Sequence, residues 1–300
     1  MVIIESGRGQ IPFTGTCCAI GFFDGVHIAH QRLIAAALAY PGKSAVLTFA
    51  NSPASFVKSR SAPDQILSLE DKIDIFASMG IDCLFLYAFD QAMMEMAPES
   101  FVAQAIEANG IKKAVVGYNF RFGKDSSADA SELGRLCALR GIEAESVPAV
   151  YFAGDPVSSS LVRKKLYHGQ IQEANALLGR NFFIKGIVEQ GKRLGRKIGF
   201  PTINTYVPPS LLVPKWGVYE TYTTIEGERR HSITNVGNNP TVEGDRFGIE
   251  THILDFGGDV YGQQAKVEFV ALVRGEMKFA SLEELSRQIA VDIERVQKSK

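Results

Sequence analysis

The chain has 300 residues, about twice an ordinary domain, so two domains are expected. Hydrophobic residues make up 46% and charged residues 22%, which excludes a disordered or low-complexity chain, and no apolar run reaches the length of a membrane span. With 32 basic against 33 acidic residues and no basic excess in either half, the composition argues against a nucleic-acid binder, so cations that meet a phosphate must act locally.

The N-terminus carries Glu5 and Arg8 within its first ten residues and no apolar run of signal-peptide length, and a cytoplasmic protein is expected. Unbroken apolar segments at 16–23, 44–49, 83–87 and 113–117 predict buried strands. Helical patterns at 27–40, 69–80, 98–110 and 128–141 separate them, which predicts a doubly wound α/β domain around a parallel sheet. Past residue 180 the rhythm changes to alternating segments at 182–191, 216–237, 248–258 and 265–273. Glu226-Gly227-Glu228 predicts a hairpin turn, and Ser281 with Glu284 forms a capping box ahead of a terminal helix over 281–296. An antiparallel barrel or sandwich follows, with the joint near Leu178–Arg180 and domains at 1–179 and 180–300. Cys17, Cys18, Cys83 and Cys137 show no CxxC spacing and are expected to be buried free thiols.

Three segments of the first half fall at strand ends, where a parallel sheet binds its ligands. Gly21-Phe22-Phe23-Asp24-Gly25-Val26-His27-Ile28-Ala29-His30 joins the first strand to the first helix and places two histidines three residues apart. Gly117 to Gly123 is an aromatic loop with Asn119 and Arg121, and Ser158-Ser159-Ser160 precedes Arg163. In the second half, Gly191, Gly195 and Gly199 bracket four cations, a loop of amides suited to an anion. Thr202 and Asn204, two residues on from one another, offer two neutral oxygens to a hard cation. Glu250 is a carboxylate in an otherwise apolar-rich strand, where a salt bridge and a catalytic role are both open.

Taken together, GFFDGVHIAH, GYNFRFG and VSSSLVR in the first half, and GRKIGFPTIN, GVYE, NVGNNPT and ETHILDF in the second, resemble the bacterial bifunctional riboflavin kinase/FAD synthetase family. The resemblance implies a Rossmann-like nucleotidylyltransferase domain followed by a six-stranded Greek-key barrel with a terminal helix. It implies phosphorylation of riboflavin by ATP and adenylyl transfer from ATP to FMN, both with Mg²⁺. It further implies that Glu250 is the kinase base, and that His27 and His30 stabilise charge on the phosphates. Gly21, Phe23, Asp24, Asn119, Ser159 and Arg163 would bind nucleotide in the first half, and Gly191, Arg196, Gly199 and Pro201 in the second. Phe122, Asp129, Asn235 and Phe256 would meet flavin, and Thr202 and Asn204 the metal. The chain departs from the family pattern at Ala29, Ala50, Asn51, Ser52 and Ala128. The changes at residues 50–52 keep open a kinase with a narrowed or degenerate adenylyltransferase half, and a non-catalytic nucleotide- or flavin-binding regulator is the alternative from another class. The sequence carries no sign of oligomeric state.

Overall fold

The TCCAI run at Thr16–Ile20 is buried at every position, as an apolar strand must be when helices cover both faces of its sheet. A computed structural model describes residues 1–5, 15–52, 65–191, 195, 198–237 and 248–298, which divide into the units Met1–Ser159 and Ser160–Lys300.

In the first unit the sheet comprises β1 (Val2–Glu5), β2 (Thr16–Ile20), β3 (Lys43–Phe49), β4 (Cys83–Tyr87), β5 (Ile111–Gly117) and β8 (Glu143–Val147). They pair in parallel in the order β1-β4-β3-β2-β5-β8. Two short ribbons, β6 (Arg121–Phe122) with β7 (Ala128–Asp129) and β9 (Tyr151–Phe152) with β10 (Asp155–Pro156), complete its strands. Its helices are α1 (Ile28–Leu38), α2 (Leu69–Ser78), α3 (Gln91–Met94), α4 (Pro98–Phe101) and α5 (Ala130–Ala138). From β2 the chain steps outward through β3 and β4, then returns to the other side of β2 with β5. That reversal is the topological switch point, and the histidine-bearing turn lies at the carboxyl end of β2 beside it.

The two edge strands differ from the inner four: β1 is apolar over Val2–Ile4 but largely exposed, and β8 is mostly polar. Val2 and Ile3 are 44% and 46% exposed, and Glu145 of β8 forms a 2.7 Å ion pair with Lys113. The helix expected over 98–110 is one α turn that widens into a π-helix at Val102–Glu107. There Ala108 N donates to Ala103 O at 3.0 Å, and the Asn109 amide caps the Ala105 carbonyl at 2.9 Å.

In the second unit six antiparallel strands close into a barrel in the order β11-β12-β15-β14-β13-β16. They are β11 (Phe182–Glu189), β12 (Ile203–Tyr206), β13 (Gly217–Ile225), β14 (Glu228–Val236), β15 (Gly248–Ile253) and β16 (Gln264–Gly275). Three successive strands, with β16 returning beside β13, make a Greek key. The turn between β13 and β14 holds Glu226 at φ 52° and Gly227 at φ 80°, the left-handed pair that a tight hairpin requires. Helices α6 (Ser159–Tyr167, from Ser160) and α7 (Ile171–Leu178) cluster with the barrel. Asn175 bonds the Phe269 carbonyl at 2.9 Å and accepts from Phe182 N at 2.7 Å. The terminal helix α8 (Leu282–Gln297) is capped by Ser281, whose Oγ accepts from Glu284 N at 3.2 Å.

Alternation along the strands gives the barrel an inner and an outer face. Val188, Ile203, Ile225, Ile253 and Ala265 form an apolar cluster inside. Beside it runs a file of buried hydroxyls, Thr223–Ser232–Thr221–Thr234–Thr251, at successive spacings of 2.8, 2.8, 2.8 and 2.9 Å. Thr234→Val keeps the shape but leaves the Thr251 hydroxyl without that partner, so a loss of about 1–3 kcal/mol in stability is expected. Denaturant unfolding followed on the barrel checks this; an unchanged midpoint would show the file to be energetically neutral.

Candidate active sites

The first site is the turn from β2 to α1. Phe23 and Val26 hold φ of 55° and 41°, left-handed values that cost a non-glycine residue about 1–3 kcal/mol, most of all a β-branched one. Gly25, at φ 80°, supplies the third such position without that cost. Side chains from elsewhere tie the turn's carbonyls in place. Thr48 Oγ1 and Lys72 Nζ reach the Phe22 oxygen at 3.0 and 3.4 Å, Ser159 Oγ the Asp24 oxygen at 2.8 Å, and Gln31 the Val26 oxygen at 2.9 Å. The Asp24 carboxylate, 2% exposed, accepts from Ile66 N at 2.9 Å and Leu67 N at 3.4 Å.

His27 is the residue before α1 rather than part of it: its Nδ1 accepts from His30 N at 3.3 Å and caps the helix. A neutral imidazole that accepts at Nδ1 carries its proton on Nε2. The two rings stack at 3.6 Å with 14° between planes, and Phe23 meets His30 edge-on at 5.1 Å. The structure thus brings together Gly21, Phe23, Asp24, His27, His30 and Ser159 within one turn and its supports. Ser159 is spent on the turn itself.

The other first-half candidates are placed differently. Arg163 lies one turn further along α6, in the second unit. Asn119 is exposed just past β5, with its Oδ1 3.4 Å from where a Gly117 side chain would begin. Phe122 is 7% exposed and packs on Phe101 at 5.3 Å and Phe120 at 5.6 Å. Asp129 caps α5, accepting from Ser131 N and Glu132 N at 3.0 Å, and these bonds hold its carboxyl below the usual range. Of the departures, Asn51 clasps the Phe89 backbone in both directions, at 2.7 and 2.9 Å.

The second site lies on the barrel. Register sets Glu189, Asn204, Glu250 and Asn235 directly opposite one another on four adjoining strands. Val218 follows as the next partner and packs against Val296 of α8. This row therefore occupies the outer face, opposite to the hydroxyl file. A methyl group on Gly191 would come within 2.3 Å of the Asn204 amide nitrogen, so a larger residue there would have to push that side chain aside. Pro201, Thr202, Ile203, Thr251, Phe256 and Tyr261 line a cleft of about 480 Å³ at one end of the strands. His252 Nδ1–H donates to the Pro201 carbonyl at 2.7 Å and fixes its rim. Gly199 is at φ 86° and exposed, and Arg196 lies outside the described residues. Among the described residues no group of three His, Cys, Asp or Glu side chains is disposed to hold a metal ion.

Sequence reasoning passed over Lys72, Thr48, Gln31 and Glu189. The available signal for Lys72 was its place four residues before the buried Phe76, on the inward face of α2.

A parallel sheet with paired histidines at its switch point, and a separate small barrel with a carboxylate among amides, are two distinct constellations suited to phosphate chemistry. Residues 11–161 match the FAD synthetase family model and residues 178–300 the riboflavin kinase model. The bifunctional riboflavin kinase/FMN adenylyltransferase of Listeria monocytogenes is 34% identical, with 91% of this chain and 89% of the relative covered. That of Escherichia coli K12 is also 34% identical, at 94% and 92% coverage. A crystal structure described as a macrolide-efflux protein from Streptococcus pneumoniae superposes with a TM-score of 0.89 at 28% identity, covering 99% of both chains. The chain belongs to the bifunctional riboflavin kinase/FMN adenylyltransferase family. No helix among the described residues is long and apolar enough to cross a membrane.

Proposed function

We infer that this chain phosphorylates riboflavin to FMN with ATP and then adenylylates FMN with ATP, giving FAD and pyrophosphate. The observation that carries the reading is the coincidence of two separate family matches with two separate constellations, the stacked histidines and the Asn204–Glu250–Asn235 row. We assign adenylyl transfer to residues 1–179 and the kinase to residues 180–300.

In the kinase, Glu250 takes the proton of the ribityl 5′-hydroxyl as that oxygen attacks the γ-phosphorus of ATP and ADP leaves. Mg²⁺ enters as the partner of ATP. The donor set suits it: with no carboxylate cage among the described residues, the neutral oxygens of Thr202 and Asn204 would add to those of phosphate and water. Gly191, Arg196, Gly199 and Pro201 border the nucleotide, and Asn235 and Phe256 the flavin. In adenylyl transfer an FMN phosphate oxygen attacks the α-phosphorus and pyrophosphate leaves. The His27 Nε2–H and the His30 ring stabilise charge that grows on the phosphate oxygens. Asn119 and Arg163 hold nucleotide, and Phe122 and Asp129 border the flavin. Four buried free thiols and the demand for ATP agree with a cytoplasmic location.

The test uses the full chain with ATP and Mg²⁺, given riboflavin in one tube and FMN in another, with flavins resolved by chromatography. FMN and FAD are expected in the first, FAD with pyrophosphate in the second. FMN without FAD in either tube would reduce the protein to a kinase, and no FMN from riboflavin would overturn the reading of the barrel.

A further inference from the structure

Lys72 of α2 is 1% exposed, an unusual position for an ammonium group. Its Nζ lies 3.4 Å from the Phe22 carbonyl oxygen and 4.3 Å from the centroid of the Phe22 ring. The charged group set against it, among the described residues, is Asp24 of the same turn. Every one of these contacts favours the cation over the neutral amine: a carbonyl dipole, an aromatic face and a buried carboxylate. Packing alone would be served as well by methionine or leucine. The charge is spent instead on a turn that carries two strained residues and leads directly into His27 and His30.

We propose that Lys72 is a positioning residue for adenylyl transfer, holding the Phe22 carbonyl and balancing Asp24 so that the strained turn presents His27 and His30 to the nucleotide. The proposal rests on the assignment of those histidines to that reaction. Burial pushes the Lys72 ammonium down to about 8, against the upward pull of Asp24. The clamp is therefore charged below about pH 8 and lost as pH rises through it. Stability runs the other way. The folded chain binds this proton less tightly than the unfolded chain, so the contribution of Lys72 to stability rises as pH climbs from about 8 towards the ordinary lysine range. A merely structural lysine would show the stability trend without an activity limb.

The experiment compares wild type, Lys72→Met and Lys72→Arg as full chains from pH 7 to 9.5, following riboflavin-to-FMN and FMN-to-FAD conversion separately. Wild-type FAD formation is expected to fall through about pH 8. Lys72→Met should lose on the order of 10²-fold in kcat/KM for adenylyl transfer, with no limb near that pH and FMN formation unchanged. Lys72→Arg, which keeps its charge throughout, should remove the limb and recover part of the rate. FAD formation at the wild-type level in Lys72→Met, or the same limb in Lys72→Arg as in wild type, would overturn the proposal. If proteolysis shows Lys72→Met to be unfolded in its first unit, the wild-type and Lys72→Arg profiles decide. His30→Ala in the same assay keeps the two ideas apart: intact FAD formation there removes the site, whereas loss there with a normal Lys72→Met removes only the lysine.

Discussion

Glu250→Gln is expected to lower riboflavin-to-FMN turnover by roughly 10²- to 10⁴-fold while FMN-to-FAD conversion in the same chain is unchanged. The substitution is nearly isosteric, and the neighbours of Glu250 across β12 and β14 are the carboxamides of Asn204 and Asn235, so a third amide fits the row without a change of shape. What it removes is the ability to accept a proton at the moment the ribityl oxygen attacks. That interaction belongs to the transition state, so kcat and kcat/KM should fall together while KM for ATP stays near its wild-type value. A rise in KM alone would make Glu250 a binding residue. The register supplies a built-in control, because Glu189 of β11 is a second carboxylate facing Asn204, on its other side. If Glu250→Gln retained more than about a tenth of wild-type turnover, short of even the weakest general-base loss, and Glu189→Gln did not, the base would be Glu189.

How far the sequence could show all this depends on the range of the interactions. Buried parallel strands are unbroken apolar runs, so TCCAI and CLFLY announced the inner sheet, while the edge strand β8 carries no such pattern and β1 offers only the three-residue run Val2–Ile4. The β13–β14 hairpin was legible because Glu226-Gly227 adopts a conformation that local sequence prefers. The strand β12 was not. Its four residues follow a Gly-Phe-Pro-Thr turn and become a strand only by pairing with β11 and β15. Site residues divide in the same way. His27 and His30 lie in one motif, and their stacking needs only a helix start. Glu250, Asn204 and Asn235 come from three motifs, and only barrel register puts them in a row. Lys72 contacts Phe22 from 50 residues away, and Ser159 bonds Asp24 from 135. No local spacing encodes either contact. Phe122 and Asp129 carry structural duties that their motif does not announce: one packs in the core and the other caps a helix.

For the first half, His30→Ala should reduce FAD formation from FMN by on the order of 10²- to 10³-fold, the usual effect of removing one preorganised donor from a site of developing charge. His30 is the better probe of the two histidines. His27 Nδ1 caps α1, so His27→Ala would cost both an imidazole and roughly 1 kcal/mol of helix stability, whereas His30 contributes to the cap only its backbone N–H, which alanine retains. The stacked ring is lost as well, but His27 keeps its cap bond and its Nε2–H, so the remaining activity measures what one imidazole does alone. His27→Asn complements the test, since asparagine is among the best capping residues and removes the ring without uncapping α1. Both variants should bind ATP nearly as wild type and fail in turnover, because the charge they stabilise appears only as pyrophosphate departs. Riboflavin-to-FMN conversion should stay intact in each. A parallel loss of both activities in folded protein would mean that the two reactions share these histidines. A loss of ATP binding with turnover preserved at saturation would mean that the rings hold the ground state and that the developing charge is met elsewhere.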